Sequence, residues 1–181
     1  MPFFATTLTV DRTDDVASAT ACTGAPNDCS LRGAIRAANA DLSANPLVIL
    51  LKPATTYNLT LTNATQENAA ATGDLDITTT LHTVTIAGGG SSGANATVID
   101  AAGLNTGSVR DRAFQITGSG VTVIFQDLVI RNGKAADDGT SGASTNPANQ
   151  NMHRAGGGIL NNGGNGGVNC RISFGREQRA C

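Results

Sequence analysis

Three observations predict an all-β fold, a parallel β-helix whose short strands stack coil upon coil. Apolar bursts of three to five residues, rich in Val, Ile, Leu and Thr, are separated by Gly, Asn, Asp and Ser. Aromatic residues make up only 3% of the 181 residues, with one Tyr and no Trp, against 22 Gly. Thr83–Ile86 and Val121–Ile124 are near copies 38 residues apart, a spacing read as about two coils of 20-odd residues. Corners need Gly and Asn, and a narrow stacked interior favours small and β-branched side chains. The rival is an antiparallel β-sandwich with turn signals every ~8–12 residues.

The elements follow in order. In residues 6–12, Leu8 and Val10 alternate with polar neighbours, which predicts a first strand. A loop with Cys22 and Cys29 comes next. A helix is predicted over residues 30–40, because Leu31, Ala34, Ile35 and Ala38 form one apolar stripe. Asp28 or Ser30 can cap it, but Gly33 stands where a capping box wants Glu or Gln, which weakens the helix start. Beyond Pro46 the strands are expected at Leu47–Leu51, Tyr57–Leu61, Leu75–Ile77, Thr83–Ile86, Thr97–Asp100, Ala113–Ile116, Val121–Phe125, Leu128–Ile130 and Ile159–Leu160. This divides the chain into an N-terminal cap (1–45), solenoid coils (46–167) with a polar insertion at 135–155, and an atypical tail (168–181).

Charge and hydropathy narrow the partners. Twelve Lys and Arg against 14 Asp and Glu give a net charge of −2, too balanced for a polybasic nucleic-acid binder. No apolar run reaches the ~20 residues of a membrane span. Six residues of turn-forming sequence separate Cys22 from Cys29, so a disulfide between them is expected, implying an oxidising compartment; two reduced thiols are the alternative. A zinc pair would need two further ligands, and neither His82 nor His153 has ligand spacing. Met1–Phe4 has no basic segment or long apolar stretch, which leaves a mature domain without its leader or a cytoplasmic protein; the expected disulfide favours the first, a secreted or cell-surface domain.

Cys29-Ser-Leu-Arg-Gly-Ala-Ile-Arg-Ala-Ala-Asn39 resembles the Cys-Ser-Leu-Arg-Glu-Ala-Ile-x-x-Ala-Asn motif of bacterial CSLREA-domain secreted and surface proteins. Gly73–Ile77, Val98–Leu104, Val129–Gly133 and Gly156–Asn162 resemble that family's first coils, so the likeness spans roughly residues 6–165. The resemblance implies an N-terminal cap followed by a right-handed parallel β-helix at the start of a longer extracellular protein. The chain departs from the pattern at Gly33, in the insertion, and after Gly167, where the last residues are expected not to continue the solenoid, as in a truncated or frame-shifted fragment. The stripe of the helix can cover the N-terminal end of the solenoid. Nothing equivalent follows Leu160, so the last coil is expected to be frayed, or buried by homo-oligomer formation through the uncapped C-terminal end, with Cys170 and Cys181 bridging within or between chains.

Chemistry has few residues from which to be built: two His, and Glu67 and Glu177 as the only Glu. His153, closing the insertion near Asp137 and Asp138, is the best candidate base, with Ser141 or Ser144 as nucleophile, although no Gly-x-Ser-x-Gly elbow is present. Asp74 and Asp76 share one strand face by period two, with Asp100 expected one coil along. Together they form a candidate binding face for carboxylate-pair chemistry; no cofactor is expected, with a calcium ladder as the alternative. Asp side chains capping corner amides is the structural alternative. His82 is expected at an exposed corner, and Arg110-Asp111-Arg112 as a solvated charged loop. The leading expectation is therefore a scaffold or adhesion module taking a glycan or cell-surface ligand. The other is an ester- or polysaccharide-acting hydrolase with its site near the insertion or on the Asp-bearing face.

Overall fold

The structure, a computed structural model, describes residues 4–63, 67–106, 110–134, 158–162, 170–174 and 177–180. Among the described residues the regular structure is mostly strand in parallel sheets, with one α-helix, consistent with a parallel β-solenoid. Strand β1 (Thr6–Thr9) and helix α1 (Leu31–Ala40) precede a rotation through three sheets. Its first turn is β2 (Leu47–Leu50), β3 (Thr56–Asn58) and β4 (Leu75–Ile77). The second is β5 (Val84–Ala87), β6 (Val98–Asp100) and β7 (Phe114–Thr117), and the third β8 (Val123–Gln126), β9 (Val129–Arg131) and β10 (Ile159–Asn162). Each strand of these turns pairs in parallel with its counterpart one turn later, giving the rows β1-β2-β5-β8, β3-β6-β9 and β4-β7-β10.

All the expected strands are present, but the coil length is not as expected. Leu47 pairs with Val84 and Val84 with Val123, so one turn takes 37 and then 39 residues. The repeat marks one long coil rather than two short ones, because many residues separate Asn58 at the end of β3 from Leu75 at the start of β4, and Asp100 at the end of β6 from Phe114 at the start of β7. The in-register partners of Val84, Thr85 and Ile86 are Val123, Ile124 and Phe125, one residue beyond the match seen by eye. That single residue matters, since a slip of one exchanges inward and outward side chains. The inward rows Leu47–Val84–Val123 and Ile49–Ile86–Phe125 are fully or almost fully buried, as are Leu75–Phe114 and Ile77–Ile116. Phe114 and Phe125 meet edge to face across the interior, with ring centroids 4.9 Å apart.

The tail also differs from expectation. Cys170–Phe174 (β11) runs parallel to β8, with Cys170 opposite Val123, and Glu177–Ala180 (β12) turns back antiparallel to it. The backbone thus continues the first sheet into residues expected to leave it.

Ser30 caps α1, its Oγ accepting the Gly33 amide at 2.9 Å. The helix packs against β2 and β4. Asn39 ties it to β4 by donating to the Asp76 carbonyl at 2.7 Å and accepting the Thr78 amide at 3.0 Å. Its opposite side is covered by the chain around residues 16–20, where Ser30 donates its amide to Ala19 and Arg36 bonds the Ala17 carbonyl. Cys22 and Cys29 are disulfide-bonded, closing the loop that leads into the helix. Among the described residues no helix is long and apolar enough to cross a membrane.

Candidate functional site

Strand β4 alternates as a solenoid strand should, with Leu75 and Ile77 inward and Asp74 and Asp76 outward. All four are nevertheless buried. The outward face is covered by α1, by a strap over residues 67–73, and by the polar residues around β7. The expected open carboxylate face is therefore closed.

Arg32 on α1 organises the cover. Its Nε and Nη2 grip Asp15 at 2.5 and 3.1 Å, while Nη2 and Nη1 donate to the carbonyls of Gly73, Ala70 and Asp74 at 2.7, 3.3 and 3.3 Å. This uses the full donor set of a guanidinium. Asp15 accepts, in addition, the Thr60 and Leu61 amides at 2.7 and 2.9 Å. The Glu67 carboxylate shapes the strap by accepting the amides of Ala69, Ala71 and Thr72. Gly73 closes it at φ +65°, and a Cβ there would stand 2.5 Å from the Asp111 carboxylate.

Asp76 sits beneath this strap. One of its oxygens accepts the Ala70 amide at 3.3 Å and the other has no hydrogen-bond partner. Burial pushes its carboxyl up to about 7; the Ala70 amide pulls it back, the negative charges of Glu67 and Asp111 add to the rise, and Arg32 opposes it. Asp74 lies 3.8 Å from Arg112, and its amide donates to Asp111 at 3.1 Å. Asp111 also accepts the Arg112 amide, and Arg112 donates to Gln115, which stands opposite Asp76 in β7. Asp111 and Arg112 are thus buried parts of the wall, not a solvated loop.

Asp100 does not join this group. It lies in β6, in a different sheet, paired with Asn58 and Arg131. Its carboxylate accepts Arg131 Nε at 2.8 Å, Asn132 at 2.9 Å and the Ala102 amide at 2.9 Å. Burial works against the charged form, but those three donors outweigh it and hold the carboxyl below its ordinary value. The separation follows from the long coil: residues about 25 apart fall on different sheets of one turn.

The residues do not fit calcium. Among the described residues no three His, Cys, Asp or Glu converge on a point that could hold a metal ion. A hard cation wants several convergent oxygens, whereas Asp74 faces Arg112, Asp76 accepts the Ala70 amide, and Asp100 lies in a different sheet. His82 is buried rather than exposed, with Nδ1 2.9 Å from the Ser43 carbonyl and Nε2 unpartnered. His153, Asp137, Asp138, Ser141 and Ser144 lie outside the described residues, as does Cys181.

Open clefts lie among the described residues, one of them beside the strap. One, of about 570 Å³, runs between α1 and the strap and includes Thr20, Arg36, Asn39, Asn68 and Thr78. The other, of about 540 Å³, lies beside the disulfide loop and includes Asp11, Asn27 and Lys52. Neither is lined by Asp74, Asp76 or Asp100. Comparison with protein-family models, curated proteins and solved structures finds no match.

Sequence reasoning missed the Arg32–Asp15 pair, the Glu67-centred strap and the Asp111–Arg112 wall. A signal existed for Arg32: it stands next to Leu31 and three residues before Ile35, at the margin of the apolar stripe. For the strap, Glu-Asn-Ala-Ala-Ala-Thr-Gly carries no apolar pattern at all.

Proposed function

We propose that this chain is an extracellular scaffold or adhesion module of the CSLREA type: a right-handed parallel β-helix whose N-terminal end is closed by α1. One observation carries the reading. The residues of the Cys29–Asn39 segment that carry the resemblance join the helix to the first turn. Cys29 forms the disulfide, Ser30 caps the helix, Leu31, Ala34, Ile35 and Ala38 are buried, and Arg32 and Asn39 bind the backbone around β4. Among the described residues, Asp74 and Asp100 face Arg112 and Arg131, and Asp76 is buried beneath the strap, which supports a structural role for that face. The disulfide supports an oxidising compartment. A glycan or cell-surface ligand and self-association through the C-terminal turn complete the proposal.

The test is a panel of ester and polysaccharide substrates offered to the pure protein and to His153→Ala, alongside binding to immobilised surface glycans. Glycan binding without turnover is the expected result. Turnover that disappears in the variant would overturn the scaffold reading in favour of a hydrolase.

A further inference from the structure

The strap 67–73 is held over β4 by polar anchors rather than by apolar packing. Its one buried side chain is the Ala70 methyl. Its backbone is fixed by Glu67 from within, by Arg32 through the Ala70 and Gly73 carbonyls, by the Leu61 carbonyl, and by Asp76 through the Ala70 amide. Ala70 itself is held at φ +49°, a conformation a non-glycine residue adopts at a cost.

Asp76 is the weak anchor. It is fully buried and one of its oxygens is unpartnered. The charged groups around it are Asp74 on its own strand, Glu67 on the strap, Asp111 and Arg112 before β7, Arg32 on α1 and Asp15 in the N-terminal segment, with Gln115 opposite in register. The guanidinium of Arg32 is committed to Asp15 and three carbonyls. Protonated, Asp76 is a neutral acceptor beneath the strap. Ionised, it is a buried anion with a single amide donor beside two further carboxylates, and a buried charge without a partner is expensive.

We propose that residues 67–73 form a proton-operated flap, seated on β4 while Asp76 carries its proton and lifted when that proton passes to solvent. Lifting uncovers Asp74, Asp76 and Gln115 and widens the cleft that Asn68 and Ala69 help to wall. The seated carboxyl titrates at about 7, whereas once solvated it returns toward its ordinary 3.8. The lifted-to-seated ratio therefore rises about tenfold per pH unit between roughly pH 4 and pH 7 and is level above that.

Amide hydrogen exchange on the full chain at about pH 4.5 and about pH 7.5 tests this, expressed as protection factors to remove base catalysis. The amides of Ala70 and Gly73, whose acceptors lie outside the strap, should lose roughly a hundredfold or more of protection at the higher pH, while those of Leu47 and Val84 hold. Asp76→Asn should abolish the difference. Equal strap protection at both pH values, or a loss shared by every amide, overturns the proposal. Should Asp76→Asn fail to fold, the Asp76 carboxyl is titrated by NMR in the unaltered chain. A midpoint above about pH 5 with the strap amide resonances of Ala70 and Gly73 shifting at the same midpoint supports the flap; a midpoint near 4, or strap resonances that do not follow the titration, overturns it.

Discussion

Gly33 lies directly against the Ala19 carbonyl: a Cβ built on Gly33 would stand 1.8 Å from that oxygen. The residue that breaks the capping-box pattern is what lets the segment around 16–20 lie on the helix and accept the Ser30 amide. The contact is with backbone, so no side-chain rotation relieves it. Gly33→Ala should lower stability by about 1–3 kcal/mol or more, despite the better helix propensity of Ala. Gly33→Glu should cost at least as much. Denaturant midpoints at unchanged slope measure both.

Arg32 and Asp15 form an ion pair whose two side chains are wholly shielded from solvent. Removing one partner leaves the other as an uncompensated buried charge, so Arg32→Met should cost about 3–5 kcal/mol. Adding Asp15→Asn removes the stranded charge and keeps an acceptor for the Thr60 and Leu61 amides. The double variant should therefore recover about 1 kcal/mol or more relative to the sum of the single changes, read from a double-mutant cycle. Arg32→Lys should not rescue, because an ammonium cannot serve Asp15 and three carbonyls at once.

The Cys22–Cys29 bridge spans a sequence separation of seven. Closing so short a loop restricts the unfolded chain modestly, by about 2–3 kcal/mol on chain-entropy grounds. Asp11 also holds the loop by accepting the Asn27 and Cys29 amides. Reduction, or the pair Cys22→Ser and Cys29→Ser, should lower the melting temperature by roughly 3–10 °C without loss of β-type circular dichroism. Collapse of the spectrum would show instead that the loop is needed to assemble the first turn.

What could be read from the sequence was what local pattern encodes. Leu75–Ile77 was placed to the residue, and Ser30 to Ala40 as a helix, because alternation and the 3.6 period are properties of neighbouring residues. Register is a property of residues about 38 apart, and there the near copy misled by one position. The site failed for a related reason. Period two put Asp74 and Asp76 on one face, and no local pattern could say that residues 67–73 and Arg32 cover it. Asp111 and Arg112 read as solvated for want of the same long-range information.

Asp76 gives stability a pH dependence of unusual sign for a carboxylate. Its folded value, about 7, lies above its ordinary 3.8. The folded state therefore holds a proton that the unfolded state has released, and stability from this group falls as pH rises from about 4 to about 7, then levels. Asp11, Asp14, Asp41 and Asp100 act in the opposite sense. Hydrogen bonds hold each below its ordinary value, so their contribution is present above about pH 4 and is lost as pH falls further. The two effects together place the stability maximum on the acid side, near pH 4–5. Thermal unfolding across pH 3–8 should show this maximum in the unaltered chain. Asp76→Asn should remove most of the decline toward neutrality, a gain at pH 7 of ~2–4 kcal/mol, with the lower value expected if lifting of the strap already relieves part of the cost. A profile that rises to a plateau by pH 6 in both proteins would mean that Asp76 is ionised in the fold and its charge is met by groups other than the Ala70 amide.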